Sequence, residues 1–331
     1  MAELVSILIP AYNAECWIGD TIRSALSQTW PKKEIIIVDD GSTDNTLAIA
    51  RTFESEIVKV VAQSNKGASA ARNEGLRCAQ GSYIQWLDAD DLLARDKISR
   101  QLHSADRGQD SRVLLTSSFG TFYYCHERAT AKPTALWQDL SPVDWLVNKF
   151  NGNVWMNPAT WLVSRKLTEL AGPWDERLVR DNDGEYICRT VAASERVKFV
   201  GGAMSYYRIG NLGSLSASVS VRASESLVLS LGLCVQYLLS LENSEKTKKA
   251  CLNSLQIWMP YLSPEKAILC KMNALASELG GHLVPPEVSW KYYPVEKLFG
   301  SERTKTVRTK WGKSKLLMKS KWDKLLYDLI G

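Results

Sequence analysis

The sequence predicts an α/β fold, an open mixed sheet between helices that is followed by a C-terminal α-helical unit. Three observations predict it: apolar runs as short as buried strands, amphipathic segments between those runs, and continuous helical periodicity after residue 221. Alternation of strand and helix favours right-handed crossovers and a sheet packed between helices. Ligands of such sheets bind outside the carboxyl ends of the strands.

The first strand is predicted over Val5 to Ile9, and the second, β-branched throughout, over Ile35 to Val38. Ser42 or Thr43 can cap the helix that follows the second strand. Apolar residues at helical spacing fill the interval between the strands: Ile18, Ile22, Ala25 and Leu26. Further strands are predicted at 57–61, 83–87, 113–116, 160–163 and 197–200, and helices at 68–78, 92–102 and 166–171. The aromatic-rich stretch 119–145 gives no regular pattern.

From Val221 onward the apolar residues keep helical spacing, for example over 227–241 and 247–258. A domain boundary is therefore expected within 213–220. The predicted division is a catalytic domain over 1–215, a helical domain over 216–300 and a basic amphipathic helix over 301–331.

Composition and charge exclude several protein classes. Of 331 residues, 45% are hydrophobic and 23% charged, which excludes a disordered chain and a membrane bundle. The net charge is +5, but residues 301–331 hold nine Lys/Arg and three Asp/Glu, a net +6, which leaves −1 for the other 300. This distribution argues against a nucleic-acid partner. Seven scattered cysteines without a Cys-x-x-Cys pair favour reduced thiols.

The basic tail and the N-terminus bear on localisation. Over 310–330, Trp and Leu residues alternate with lysines, so a helix there is amphipathic and basic. Such a helix suits peripheral contact with an anionic membrane, and packing on the helical unit is the alternative. The N-terminus lacks the pattern of a secretory signal. We expect a cytoplasmic protein that works at the inner face of the membrane.

An acidic cluster follows the strand predicted at 83–87. Asp88, Asp90 and Asp91 lie within one turn, where their charges repel one another unless they are solvated or bind a cation. Oxygen ligands suit Mg²⁺ or Mn²⁺. A solvated turn is the alternative, but the end of a strand in an α/β sheet is where such proteins place their ligands.

Five segments, taken in order, resemble family 2 glycosyltransferases of the GT-A fold, the Rossmann-like fold of nucleotide-diphospho-sugar transferases. They are Val5 to Asn13, Ile36 to Asp44, Asn65 to Asn73, Leu87 to Asp91, and Gly172 to Arg189. The resemblance covers residues 4 to about 216. It implies an inverting, metal-dependent hexosyltransferase that uses a nucleotide-sugar, most often a UDP-sugar, and acts on an acceptor hydroxyl in glycan or polysaccharide synthesis.

The resemblance implies a donor site at the strand ends: Pro10, Ala11, Tyr12, Asn13, Asp39, Asp40, Lys66, Arg72, Asp88 and Ala89. Ala11 and Tyr12 can pack against a nucleobase. Asp39 and Asp40 can accept hydrogen bonds from a uracil-type N–H or a ribose hydroxyl, and the resemblance favours Asp40 for the base. Lys66 could instead form a surface ion pair.

The remaining roles concern the metal, the acceptor and the catalytic base. By the resemblance Asp90 coordinates Mn²⁺ or Mg²⁺, with Asp91 as a second ligand. Asp183 is predicted to take the proton of the acceptor hydroxyl, and Asp181, two residues away, competes for this role. The segment Trp174, Asp175 and Glu176 is expected to shape the pocket for a glycan, lipid-linked or protein acceptor.

Other functions fit the sequence less well. A sugar nucleotidyltransferase or a dinucleotide-dependent dehydrogenase needs a glycine-rich loop after the first strand, and Pro10 to Asn13 is not one. A catalytically silent scaffold that binds sugar nucleotides remains an alternative, against which Asp90 and Asp183 argue. Many family members have a His after the Tyr-Arg pair, but Ile209 follows Arg208 here, which weakens the case for a histidine ligand.

Overall fold

The computed structural model describes residues 3–105, 112–209, 220–284 and 322–324. The strands are β1 (Val5–Ala11), β2 (Lys33–Asp39), β3 (Val58–Ala62), β4 (Tyr83–Trp86), β5 (Leu92–Leu93), β6 (Val113–Phe122), β7 (Thr130–Ala131), β8 (Leu162–Ser164) and β9 (Arg196–Arg208). The helices are α1 (Ile18–Leu26), α2 (Thr46–Arg51), α3 (Ala68–Cys78), α4 (Lys97–Ser104), α5 (Pro142–Gly152), α6 (Arg165–Ala171), α7 (Asn182–Ala193), α8 (Val221–Leu241), α9 (Glu245–Trp258) and α10 (Lys266–Glu278).

The strands form one mixed sheet in the order β3-β2-β1-β4-β8-β6-β9-β5, with β7 paired to β6. Strands β3, β2, β1 and β4 are parallel, and β8 is antiparallel to both β4 and β6. Because β1 and β2 are buried almost throughout, their sequences are apolar runs without alternation. The open mixed sheet between helices is thus confirmed, and the carboxyl ends of β1, β2 and β4 meet at one edge.

The helix predicted over 92–102 is wrong in its first half. Leu92 and Leu93 are instead a short strand antiparallel to β9, and the helix begins at Lys97. The reason lies one residue earlier: the Asp91 carboxylate accepts a hydrogen bond from the backbone N–H of Arg208, 2.9 Å away. This contact places the chain after Asp91 beside β9, where extended backbone can pair.

The C-terminal helices share a hydrophobic core with the sheet. Trp86 of β4, Tyr186 of α7 and Leu227 of α8 belong to the same cluster of buried residues. Helix α8 has the length and composition of a membrane-spanning helix, but half of its most apolar window is buried inside the protein. We therefore interpret α8 as a core helix. The predicted division at residue 215 lies outside the described residues and stays a prediction.

Two further predictions can be compared with the structure. Of the seven cysteines, Cys188, Cys234 and Cys251 are buried in the core and all seven are free, which agrees with reduced thiols. The predicted basic helix over 301–331 lies outside the described residues except for 322–324. Membrane contact through 310–330 therefore stays a prediction.

Candidate active site

The loops after β1 and β2 are tied together at the sheet edge. Ala11 pairs in register with Asp39, and the backbone N–H of Asp40 donates to the Ala11 carbonyl at 2.8 Å. Asn13, in the left-handed region with φ 48°, accepts a hydrogen bond from the backbone N–H of Thr43 at 2.8 Å. Pro10, Ala11, Tyr12 and Asn13 thus border the predicted donor site, and the Tyr12 side chain is 51% exposed.

Asp39 and Asp40 are both buried, but their carboxylates differ in what they bind. Asp40 accepts hydrogen bonds from the backbone N–H groups of Lys66 (2.9 Å) and Gly67 (2.8 Å), and from the Gln63 side chain. Oδ2 of Asp39 accepts a backbone hydrogen bond, whereas Oδ1 is buried without a partner among the described residues. Buried acceptors are normally satisfied, so the geometry favours Asp39 over Asp40 as the ligand-facing carboxylate.

The loop between β2 and α2 depends on a glycine. Gly41 has φ +73°, and a Cβ there would lie 2.7 Å from the backbone nitrogen of Asn65. The close approach brings Lys66 to the same edge, where its side chain is exposed. Asp40 and Gly41 thus join the β2 loop to the segment that begins α3.

Arg72 lies buried beneath the acidic loop. Its Nη2 donates to Oδ1 of Asp88 at 2.7 Å, and its guanidinium carbon lies 4.3 Å from the centre of the Trp174 ring. Nε and Nη1 of Arg72 are buried without a hydrogen-bond partner among the described residues. The paired guanidinium fixes Asp88, whose side chain is 28% exposed, and puts positive charge at the acidic loop.

The ring of Trp174 is enclosed in the core and cannot touch an acceptor directly, and its predicted part in shaping the acceptor pocket stays a prediction. Its side chain is 1% exposed, stacks on Tyr186 with ring centres 4.0 Å apart, and meets Trp86 edge to face. A ring enclosed in this way cannot contact a sugar. Trp174 instead supports the Arg72 guanidinium by a cation–π contact.

Asn73, the residue after Arg72, holds the segment that carries Trp174. Its side chain accepts a hydrogen bond from the backbone N–H of Trp174 (2.8 Å), and donates to the Trp174 carbonyl and to Glu176. Asp175 pairs with the exposed Arg177. Asp175 and Glu176 have local structural partners, and their acceptor role stays a prediction.

Asp91 is enclosed by protein groups rather than exposed to a ligand. It is fully buried, and its two oxygens accept hydrogen bonds from the Arg208 backbone N–H (2.9 Å) and the Asn157 side chain (3.0 Å). Burial, together with the charges of Asp90 and Asp88, raises its pKa well above the usual value. Asp91 is therefore not placed as a second metal ligand, which corrects that prediction.

The donor set left for a metal consists of Asp90 and the half-exposed Asp88. Among the described residues no three His, Cys, Asp or Glu side chains form a preformed metal cage. Magnesium in nucleotide sites is commonly held by one or two carboxylates plus substrate phosphates. Asp88 and Asp90 place negative charge at this loop, which a divalent cation would offset. The residues thus fit a metal that is shared with a nucleotide.

Tyr207 and Arg208, at the end of β9, are site residues that sequence reasoning missed. Burial raises the pKa of the Tyr207 hydroxyl, and so do the negative charges of four carboxylates: Asp91, Asp90, Asp88 and Asp183. The Tyr207 side chain thus lies near both the acidic loop and Asp183. Trp155, 43% exposed, packs edge to face against it with ring centres 5.0 Å apart.

Asp183 and Asp181 occupy different surroundings. Asp183 lies half-buried in the first turn of α7, while the Asp181 carboxylate accepts a hydrogen bond from Ser230 of α8 at 2.6 Å. Gly184 leaves room for this carboxylate, because a Cβ there would meet the Asp181 side chain. The geometry commits Asp181 to packing against α8 and leaves Asp183 as the better placed base.

Asp181 makes a measurable pH prediction. Burial raises its pKa to about 6, an effect that Lys149 opposes and Asp183 reinforces. The folded chain then keeps a proton on Asp181 that the unfolded chain releases near pH 4. The free energy of unfolding therefore falls by roughly 3 kcal/mol as the pH rises from 4 through 6. We expect Asp181→Asn, which cannot ionise, to gain stability relative to wild type over this range. Melting temperatures measured at pH 4.5 and 7.5 test this, and equal differences at both pH values would contradict it.

Comparison with known proteins agrees with this arrangement. Residues 6–127 match the family model described as Glycosyl transferase family 2. The chain is 49% identical over 102 residues to WfaP, an Escherichia coli UDP-Glc:alpha-D-GlcNAc-diphosphoundecaprenol beta-1,3-glucosyltransferase. This match covers 30% of this chain and 41% of that protein. The chain is also 31% identical over 183 residues to the glycosyltransferase GlyG of Streptococcus pneumoniae. This second match covers 50% of this chain and 58% of that protein.

A structural neighbour extends the likeness beyond the matched segment. The crystal structure of S. aureus TarS 1-349 in complex with UDP-GlcNAc superimposes with a TM-score of 0.66 at 17% identity, covering 83% of this chain and 80% of that one. This likeness confirms the predicted fold. The chain spans about half the length of the two curated relatives above. The likeness to glycosyl transferase family 2 is thus carried by residues 6–127.

Proposed function

We propose that this chain is a glycosyltransferase that moves a sugar from a nucleotide-sugar, with UDP as the nucleotide, to an acceptor hydroxyl in polysaccharide synthesis. One observation carries the proposal: a buried acceptor on Asp39, a buried guanidinium on Arg72 and the acidic loop 88–91 meet at the carboxyl edge of the sheet. The first suits a nucleobase or ribose, the second a diphosphate, and the third would suit a divalent metal.

In the proposed reaction the acceptor oxygen attacks the anomeric carbon as the bond to the diphosphate breaks. Asp183 receives the proton of the acceptor hydroxyl. Arg72 offsets negative charge on the leaving diphosphate, and Trp174 holds its guanidinium in place. A single displacement with one carboxylate base inverts the configuration at the anomeric carbon. As the bond to the acceptor oxygen forms, the bond to the nucleoside diphosphate breaks and the nucleoside diphosphate leaves.

We assign a metal, Mn²⁺ or Mg²⁺, to Asp90, with Asp88 next to it. Bound there, the ion would neutralise charge on the diphosphate. Arg72 neutralises part of the Asp88 charge. Synthesis of a cell-surface polysaccharide on a lipid-linked or other glycan acceptor is consistent with the reaction for which WfaP is named. A cytoplasmic location at the membrane belongs to the same proposal.

The proposed function is tested by offering the full chain UDP-, GDP- and dTDP-sugars with Mn²⁺ and measuring the nucleotide released. We expect slow hydrolysis of one donor, abolished by a chelator and restored by added Mn²⁺. Hydrolysis that persists unchanged in chelator would remove the metal from the proposal. No turnover with any donor, together with nucleotide binding, would favour the scaffold alternative.

Trp155 is our candidate for the acceptor side in place of Trp174. Its exposed ring contacts both Tyr207 and Phe119, whose ring centre is 5.1 Å away, and aromatic rings stack well on sugar faces. We expect Trp155→Ala to raise the KM for a saccharide acceptor about 10-fold while donor hydrolysis stays unchanged. Tyr261→Ala, 47% exposed on the helical segment, is the matched control. An unchanged acceptor KM would exclude this role for Trp155.

A further inference from the structure

The C-terminal residues 322–324 contact the turn that follows β6. The Asp323 carboxylate accepts hydrogen bonds from the backbone N–H groups of Tyr124 (2.9 Å) and Cys125 (3.2 Å), and from the Arg128 guanidinium (3.2 Å). Asp323 is 9% exposed, although 195 residues separate it from Arg128. Three bonds to one nearly buried carboxylate indicate a docking contact rather than an incidental surface ion pair.

The same turn is bonded to the acidic loop by Arg208. Nη1 of Arg208 donates to the Tyr123 carbonyl at 2.6 Å, and Nε donates to the backbone carbonyl of Asp90 at 2.9 Å. The backbone N–H of Arg208 donates to the Asp91 carboxylate at 2.9 Å. Arg208 therefore fixes both the backbone and a side chain of the loop to which we assign the metal.

One peptide group connects these two sets of bonds. The 123–124 peptide directs its N–H at the Asp323 carboxylate and its carbonyl at the Arg208 guanidinium. A negative group at the donor end and a positive group at the acceptor end polarise the peptide in the same sense, so each bond strengthens the other. The rings of Tyr124 and Trp17, with centres 5.3 Å apart, form a second connection, since Trp17 lies 4.1 Å from the Arg208 guanidinium carbon.

We propose that Asp323 is a positioning residue of the active site. By docking on the 123–128 turn, it holds Arg208 and, through Arg208, the Asp90 to Asp91 loop in the geometry that binds a metal–nucleotide pair. Asp323 thus contributes to donor affinity through Arg208. This inference rests on the proposed function, and the experiment below separates the failure of one from the failure of the other.

The test compares Asp323→Ala, Asp323→Asn and Asp323→Glu in the full chain. The probes are Mn²⁺ with UDP in calorimetry, and amide hydrogen exchange without nucleotide. We expect Asp323→Ala to weaken Mn²⁺–UDP binding about 3- to 30-fold, and Asp323→Glu to restore part of the affinity. Exchange should become faster in peptides covering 88–93 and 204–209.

Arg128→Ala, which keeps both backbone bonds to Asp323, should cause a smaller loss of Mn²⁺–UDP affinity. Glu245→Gln, whose carboxylate is exposed on α9, is the control.

The amide exchange measurement needs no nucleotide, so it tests the effect of Asp323 on the loop even if UDP does not bind. Faster exchange confined to 122–128 in every Asp323 variant, with unchanged affinity for Mn²⁺–UDP, would overturn it and leave a purely structural contact. Faster exchange at 88–93 in a chain that binds no nucleotide would support the coupling and count against the proposed function. If Asp323→Ala does not fold, Asp323→Asn, which keeps the shape of the side chain, gives the same comparison.

Discussion

Asp183→Asn is expected to abolish sugar transfer while nucleotide binding stays as in wild type. The amide has nearly the size of the carboxylate but cannot accept the proton of the acceptor hydroxyl, so the loss should be about 10² to 10⁴ in kcat. Because Asp183 lies on α7 and outside the acidic loop, the substitution should leave the donor site intact. The measurement is a transfer assay beside calorimetry with UDP and Mn²⁺.

Two controls accompany this variant. Asp20→Asn changes an exposed carboxylate of α1 that pairs only with Arg23 among the described residues, and should transfer sugar normally. Asp181→Asn tests the competing carboxylate and should keep most of the activity, since Asp181 is bonded to Ser230. Normal sugar transfer by Asp183→Asn, or a complete loss of transfer in Asp181→Asn alone, would contradict the prediction and assign the base role to Asp181.

Asp90→Ala should lose metal-dependent nucleotide binding as well as turnover. With Asp91 enclosed by Arg208 and Asn157, no second carboxylate of the loop can replace Asp90 except Asp88, which Arg72 already neutralises. We expect the affinity for UDP to become independent of Mn²⁺ and kcat/KM to fall by about 10² or more. Calorimetry at several Mn²⁺ concentrations measures the first effect directly.

Asp91→Asn is the informative comparison for that result. Its pKa is raised by burial, so it holds a proton more readily than an exposed carboxyl, and an amide can keep the bond from Arg208. This variant should retain most of the Mn²⁺ dependence. Mn²⁺-dependent binding that survives in Asp90→Ala and disappears in Asp91→Asn would reverse the assignment of the ligand.

The fold could be predicted because its central strands and helices have simple sequence patterns. The buried strand β2 appears as an uninterrupted β-branched run, and α1 follows a clear apolar spacing between β1 and β2. The segment from 92 to 102 could not be predicted by the same means. Its first residues pair with β9, more than 100 residues later in the chain, and helical periodicity in a short window carries no information on such a partner.

The candidate site could be predicted at the level of segments but not of individual atoms. Neighbouring acids such as Asp90 and Asp91 are equivalent in the sequence, and only the position of Arg208 shows that one of them is enclosed. For Trp174, only the resemblance of its segment to the family predicts a place on the acceptor side. The stack with Tyr186 depends on tertiary packing and left no local signal.

The core that α8 shares with the sheet links folding of the two halves of the chain. Because Leu227 and Trp86 belong to one buried cluster, the C-terminal helices cannot separate without exposing apolar surface beneath the strands. A nucleotide that binds only the native chain would then raise the free energy of unfolding of both halves together. Substitutions that loosen α8, far from any substrate, would lower the fraction of chains able to bind a donor.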